Sequence, residues 1–203
     1  MISDSASNWD SRYSSTPSVW SLEPNEFVVQ ELSDLPVGKM ADVAGGEGRN
    51  ALWFASRGWQ VENVEFSKVA LEKFVNRAKT AGHTELVTSN LADATSAKLL
   101  TEPTLSVVAY LQLPWVDLEK ALDNLLVQQS SGVIFGVWHG ARNLVDGYGG
   151  PQSAAMLVSE AQLKDWAEKH GLTVKVRERL RTVKTDAGDR QAIDVTLFAQ
   201  LFS

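Results

Sequence analysis

Two carboxylates and a glycine-rich turn are the residues of this chain whose types and spacing could do chemistry together. Asp42 lies in an apolar stretch, Lys39-Met40-Ala41-Asp42-Val43, that runs directly into Ala44-Gly45-Gly46-Glu47-Gly48-Arg49-Asn50-Ala51. Glu65 ends a second stretch, Gln60-Val61-Glu62-Asn63-Val64-Glu65, about twenty residues further on. A strand that stops at glycines and re-enters a helix turns free N–H groups into a crevice. Glycine is needed there because a β-carbon would keep a ligand off the backbone. An acid at the tip of the next strand suits the two hydroxyls of a ribose. The combination predicts a site for an adenosine-containing cofactor.

Charge narrows the choice of cofactor. Gly46-Glu47-Gly48-Arg49-Asn50-Ala51 fits G-x-G-x-x-G/A, so a nicotinamide dinucleotide and an NAD(P)-dependent oxidoreductase are one reading. A diphosphate wants bare N–H groups and a positive helix end. Here Asp42 precedes the loop and Glu47 lies within it, and both anions are expected to crowd a diphosphate. The same carboxylates suit a phosphate-free cofactor that carries a sulfonium and an ammonium, as S-adenosylmethionine does. The plainer alternative, a glycine turn that only joins strand to helix, leaves the spacing of Glu65 unexplained.

The elements that must position these residues follow from periodicity. Residues 1–8 are expected to be loose. Trp9 to Tyr13, with Trp20, form an aromatic arm over residues 1–22 that either anchors on the surface or closes over a ligand as a lid. Residues 23–203 are expected to form one domain. Pro24 suits a first helical turn, and Phe27, Val28, Leu32 and Leu35 recur at helical spacing. Strands are expected near 39–43, 59–66, 84–89, 105–111 and 132–139. Helices are expected over 50–57, 67–81 (with Ser67 as N-cap), 117–129, and from a capping box at Ser159 to Gln162 up to Gly171. Residues 172–184 and 190–202 alternate as a hairpin around Asp186-Ala187-Gly188-Asp189. Strand–helix alternation means a doubly wound α/β fold, mostly parallel, with an antiparallel strand from the final hairpin.

Composition removes several function classes. The chain has 203 residues, 44% hydrophobic and 22% charged, with a net charge of −6, which disfavours a broad surface for nucleic acid or anionic membrane. There is no cysteine, and the three histidines (His83, His139, His170) are not at metal-ligand spacing, so no metal site is expected. No signal peptide and no apolar run of membrane-spanning length is read, which points to the cytoplasm.

The segment from Ala41 to Trp53, with Gly58-Trp59-Gln60-Val61 and Val64-Glu65-Phe66-Ser67, resembles the class I S-adenosylmethionine-dependent methyltransferases. Within them it is most similar to the small bacterial tellurite-resistance and thiopurine-type enzymes. The likeness extends to Trp9–Tyr13, Glu23-Pro24-Asn25, 109–114, Asn143-Leu144, 149–152 and Ala192-Ile193-Asp194. It implies a Rossmann-like, seven-stranded sheet with the last strand antiparallel. It implies that Ala44, Gly45 and Gly46 line the methionine end of S-adenosylmethionine, with Asp42 and Asn50 in the same motif. Glu65 would hold the ribose, Phe66 would lie against adenine, and Asn90 and Leu91 would meet its edge. Tyr110 would lie near the sulfonium and the acceptor, and Trp20 and Asn25 would cover the cofactor. Ala44, Glu65, Asn90 and Gly140 depart from the family's usual residues; at Ala44 the change is mild if φ is negative.

The activity implied is methyl transfer to a small-molecule acceptor by a monomer or homodimer, without nucleic acid or membrane as partner. Tyr110 and His139 are the candidate catalytic groups if the nucleophile needs a base. For His139, which ends a buried strand, a structural or substrate-contacting role is the competing reading. A non-catalytic, cofactor-binding descendant of the fold is a further alternative. His83 and His170 read as surface residues at helix ends, Trp53, Trp115 and Trp166 as packing, and the basic run 175–181 as the solvated face of a strand.

Overall fold

Apolar runs bounded by glycine and capping residues become the elements of the computed structural model, which describes residues 6–202. Two compact units divide between Val107 and Val108. The first holds α1 (Ala6–Ser14), α2 (Glu26–Leu32), β1 (Lys39–Val43), α3 (Arg49–Ser56), β2 (Gln60–Glu65), α4 (Lys68–Thr80), a 3₁₀ turn (Thr84–Leu86) and β3 (Val87–Leu91). β4 (Leu105–Ala109) carries the boundary. The second holds α5 (Trp115–Leu126), β5 (Gly132–His139), α6 (Asn143–Asp146), a 3₁₀ turn (Ala154–Met156), α7 (Glu160–Lys169), β6 (Thr173–Thr185) and β7 (Gly188–Leu201).

The strand order is β3-β2-β1-β4-β5-β7-β6 in a seven-stranded sheet. β1, β2 and β3 pair in parallel, whereas β7 runs antiparallel to both β5 and β6. This is the doubly wound α/β fold with a reversed last strand that the alternation of elements implies. In the first unit α3 packs on β1 and β2, and α4 on β2 and β3. Met40, Ala41, Val43, Val64, Phe54 and Phe74 are buried there. In the second, α7 packs on β6 and β7, over a core that includes Phe135, Val137, Leu163, Trp166, Val195 and Leu197.

Local signals place most boundaries. Ser67 caps α4 by accepting from the Ala70 N–H, and Ser159 with Gln162 makes the reciprocal capping box of α7. Four expectations shift. Residues 6–8, expected to be loose, open α1, while residues 1–5 lie outside the described chain. α2 starts after Pro24, with Asn25 as its N-cap accepting from Phe27 and Val28 N–H, because the asparagine side chain caps better than a proline can. The third strand starts at Val87 and reaches Leu91, since Thr84–Leu86 tightens into a 3₁₀ turn after α4. α5 begins at Trp115, directly behind Pro114.

Candidate functional site

The parallel register of β1 and β2 sets Asp42 opposite Asn63 at the edge of the glycine turn. Side chains from the two strands then grip the turn from below. The Asn63 amide donates to the Gly46 carbonyl at 3.0 Å, and the Gly46 N–H donates to Glu65 Oε2 at 3.0 Å. Glu65 Oε1 accepts from the Ser67 N–H at 2.9 Å, so the buried carboxylate ties the turn to the start of α4. Asp42, fully buried, accepts from the Ala51 N–H at 3.0 Å and caps the first turn of α3. A Cβ on Gly45 would run into Asn63 Oδ1 and lie 2.8 Å from the Asp42 carboxyl, so only glycine lets the backbone pass there.

The electrostatics of the turn are those of buried, partly satisfied carboxylates. Burial pushes Asp42 up to about 7, against the pull of the Ala51 N–H and of Arg49. Its Oδ1, like Asn63 Oδ1, is buried with no hydrogen-bond partner within the protein. Burial also raises Glu65, opposed by the N–H groups of Ser67, Gly46 and Phe66. These orphaned oxygens call for a donor or a cation, because an unsatisfied buried acceptor costs about 1–3 kcal/mol.

Glu47 does not crowd the crevice. Its carboxylate lies 3.1 Å from Lys73 Nζ and 3.3 Å from Arg77 Nη2, both on α4, and also accepts the Val19 N–H at 3.0 Å. Two cations neutralise it, so the expectation that Glu47 repels a diphosphate is overturned. What opposes a diphosphate is the use already made of the donors. Gly45 N–H goes to the Val64 carbonyl, Gly46 N–H to Glu65, Gly48 N–H to the Gly45 carbonyl and Ala51 N–H to Asp42.

Ala44 adopts φ 56°, contrary to the negative value that would make it an easy replacement for glycine. An L-residue there carries a penalty of roughly 1–2 kcal/mol, part of which returns as reduced unfolded-state entropy. Ala44→Gly is therefore expected to raise the stability of the chain by about 0.5–1 kcal/mol. Urea unfolding would show the gain, and an unchanged or lowered midpoint would mean that Ala44 carries no strain.

The N-terminal arm is built onto the same turn. Tyr13 is buried, and a Cβ on Gly46 would lie 2.7 Å from its hydroxyl. Trp20 donates from its indole N–H to that hydroxyl at 3.4 Å, and Arg12 stacks over Trp9 and Trp20 at 5.0 and 4.9 Å. Asp10 accepts from the Ser67 hydroxyl at 2.5 Å and from the Val69 N–H at 3.2 Å. Lys73 donates to the carbonyls of Tyr13 and Thr16.

Other predicted positions spread out. Asn25 and Asn50 come together, the Asn25 N–H donating to Asn50 Oδ1 at 2.9 Å, and both are buried. Asn90 donates to Glu62 at 2.7 Å and to the Lys98 carbonyl at 2.9 Å, while Phe66 is half-buried and Leu91 exposed. Leu91 lines a shallow cavity of about 330 Å³ with Leu71, Val75 and Ser89. Sequence reasoning named Tyr13 only as part of the aromatic arm, and missed Asn63 and Glu62. A weak signal existed for both, since polar residues in the middle of a buried parallel strand need partners. Glu62 finds its own in the N–H groups of Leu100 and Thr101.

In the second unit the predicted pair Tyr110 and His139 share a third residue. The β5–β7 register sets His139 opposite Asp194. Asp194 is fully buried; it accepts from the Tyr110 hydroxyl at 2.6 Å and from Arg181 Nε at 2.7 Å, and its Oδ1 lies 3.1 Å from His139 Nδ1. Burial alone would raise Asp194, but His139, Arg181 and Tyr110 outweigh it and hold the carboxyl below its ordinary value. Arg181 thus turns in to a buried acid rather than out with a solvated strand face. Nor is His170 a plain surface residue: its Nε2 lies 2.9 Å from Asp123 Oδ1 on α5. Among the described residues no cluster of metal-ligating side chains is formed, and no helix is long and apolar enough to cross a membrane.

No protein-family model matches the chain, and no curated protein is significantly similar to it. Solved structures are. One, from work on the conversion of a disulfide bond into a thioacetal group during echinomycin biosynthesis, has a TM-score of 0.74 at 18% identity, covering 95% of this chain and 90% of its own. TehB from Haemophilus influenzae has a TM-score of 0.69 at 15% identity, with 88% of this chain and 63% of that one covered. A SAM-dependent methyltransferase from Aquifex aeolicus has a TM-score of 0.67 at 14% identity, with 95% and 98% covered. With its seven-stranded sheet in the order β3-β2-β1-β4-β5-β7-β6 and its antiparallel β7, the chain has the class I methyltransferase fold.

Proposed function

We propose that the chain binds S-adenosylmethionine and transfers its methyl group to a small-molecule acceptor. The observation that carries this reading is the pair of buried carboxylates on the glycine turn, Asp42 with an orphaned oxygen and Glu65 hooked onto Gly46. An orphaned carboxyl oxygen beside a turn whose Gly45, Gly46, Gly48 and Ala51 N–H groups are already engaged favours a cationic cofactor over a phosphorylated one. Each carboxylate oxygen has a second acceptor direction, so Glu65 can keep its two backbone bonds and still take a diol. Gly45 leaves the backbone bare where a Cβ would strike Asn63 and Asp42.

When bound, the cofactor supplies an activated methyl group on a sulfonium, so the protein's own share is alignment and exclusion of water. The first unit holds the ribose through Glu65 and the cationic end beside Asp42, with the arm bearing Tyr13 and Trp20 as the water-excluding cover. Tyr110, Asp194 and His139, all in the second unit, form a hydrogen-bonded group around a buried acid.

Calorimetry with S-adenosylhomocysteine tests the reading directly, and no heat at millimolar ligand would sink it. Glu65→Ala is expected to weaken binding more than tenfold, the loss of at least one charge-assisted hydrogen bond worth about 1.5–3 kcal/mol. Unchanged affinity in that variant would remove Glu65 from its role. Thermal stabilisation by NADH but not by S-adenosylhomocysteine would favour the oxidoreductase instead.

A further inference from the structure

We propose that α1 is a gate over the glycine turn, held shut by Asp10 and Glu47, and that a ligand reaches the Glu65 carboxylate only when α1 lifts. The inference rests on the reading above, in which Glu65 holds a ribose, and adds how that site is opened. Every residue it uses belongs to the first unit.

Glu65 has two anchors, the Gly46 N–H on Oε2 and the Ser67 N–H on Oε1. α1 comes down on both of them. The Tyr13 hydroxyl lies 2.7 Å from where a Cβ on Gly46 would be. Asp10 Oδ1 accepts from the Ser67 hydroxyl at 2.5 Å and from the Val69 N–H at 3.2 Å. Asp10 and Tyr13 are three residues apart in one helix, so they share a face and span the carboxylate between them. Charge reports the same closeness. Burial does most to raise both the Tyr13 phenol and the Glu65 carboxyl; the Glu65 charge adds to the first and the Asp10 charge to the second. With α1 in place Glu65 is 3% exposed, too little for a diol to reach it.

The other fastening is Glu47, itself part of the turn. Its carboxylate takes the Val19 N–H at 3.0 Å and the Ser18 hydroxyl at 3.3 Å, and pairs with Lys73 and Arg77. Both cations reach on to the backbone of the arm, Lys73 to the carbonyls of Tyr13 and Thr16 and Arg77 to that of Pro17 at 3.2 Å. One carboxylate thus ties residues 13–19 to α4 and to the turn. The grip is mostly polar. Of the nine residues of α1 only Tyr13 is buried, so little apolar surface opposes lifting, and water replaces the released hydrogen bonds.

The test uses the full chain with Asp10→Ala on the arm and Glu47→Gln on the turn. Trypsin cleavage after Arg12, an exposed residue of α1, reports lifting without any ligand. Stopped-flow tryptophan fluorescence with S-adenosylhomocysteine, to which the arm contributes Trp9 and Trp20, reports entry. The expected result is that each variant is cleaved, and takes up the ligand, about tenfold faster than the native chain, because more of it stands open. Asp10 lies outside the turn, so Asp10→Ala carries the test if Glu47→Gln does not fold. Cleavage at the native rate in the folded variants overturns the two fastenings. Faster cleavage with an unchanged association rate overturns the gate and leaves the methyl-transfer reading standing. So does a change confined to dissociation, which would make α1 a cover that closes only on a bound ligand. Faster cleavage with no heat from the ligand in any form supports the fastenings and defeats the methyl-transfer reading.

Discussion

Asp42→Asn is expected to make the chain more stable at pH 8 by on the order of 4 kcal/mol, and to make it bind S-adenosylmethionine at least tenfold more weakly. The stability part follows from linkage. Burial raises the folded-state value of Asp42 from 3.8 to about 7, which is some three units at about 1.4 kcal/mol each. A carboxyl raised in the folded state favours folding relative to its ionised form at low pH. That contribution is fully present below about pH 4 and is lost as the pH rises through about 7, because the folded chain must then hold a buried charge or a proton it would otherwise release.

An amide keeps the acceptor for the Ala51 N–H and removes the charge. It also brings donors beside Gly45, where Asn63 Oδ1 lacks one. Urea unfolding of both forms at pH 8 and pH 4 checks the claim: the gap should be wide at pH 8 and close to nothing at pH 4. Equal stability at both would show that the Asp42 charge costs nothing. The binding part follows from the proposed role, since the substituted amide offers no anion to the cofactor's cationic end. Stability kept low by a buried charge that a ligand needs is a common exchange at binding sites.

Gly48→Ala carries the second large effect, in the opposite direction. Gly48 sits at φ 77° as the N-cap of α3, and a Cβ there would enter the ring of Phe74, 2.8 Å from Cε2. Phe74 is fully buried on α4 and has no open side to move into. The left-handed backbone costs roughly 1–2 kcal/mol and overpacking a further 1–3, so a loss of about 2–5 kcal/mol is expected. Gly82→Ala is the control, with φ 76° but no atom within 4 Å of the added carbon, and should lose the backbone share only. Thermal unfolding of both variants separates the two causes. Equal losses would mean that Phe74 yields without cost and that the turn is not wedged between α3 and α4.

Both variants act on residues that the sequence singles out, but for reasons visible only in the folded chain. Local chemistry is legible in order along the chain. Glycine after an apolar stretch marks the turn after Val43, Ser67 and the Ser159–Gln162 pair mark helix starts, and alternation marks β6 and β7. These signals act between residues a few positions apart, where covalent geometry limits what the chain can do. The class of fold, and the presence of acids at the tips of β1 and β2, follow from them.

Tertiary structure decided how those acids are used. Glu47 was an anion in the turn by sequence, and became a neutral latch only because Lys73 and Arg77 come round on α4. Asn63 holds Gly46, and Asp194 gathers Tyr110, Arg181 and His139, through strand registers that no local pattern encodes. Register is set by the summed burial of whole strands, and a slip of one residue would turn each of these side chains to the opposite face. Spacing along the chain thus determined which elements form, while the charge state and partners of each buried group were left to the packing of distant strands, where loss of water makes every pairing count.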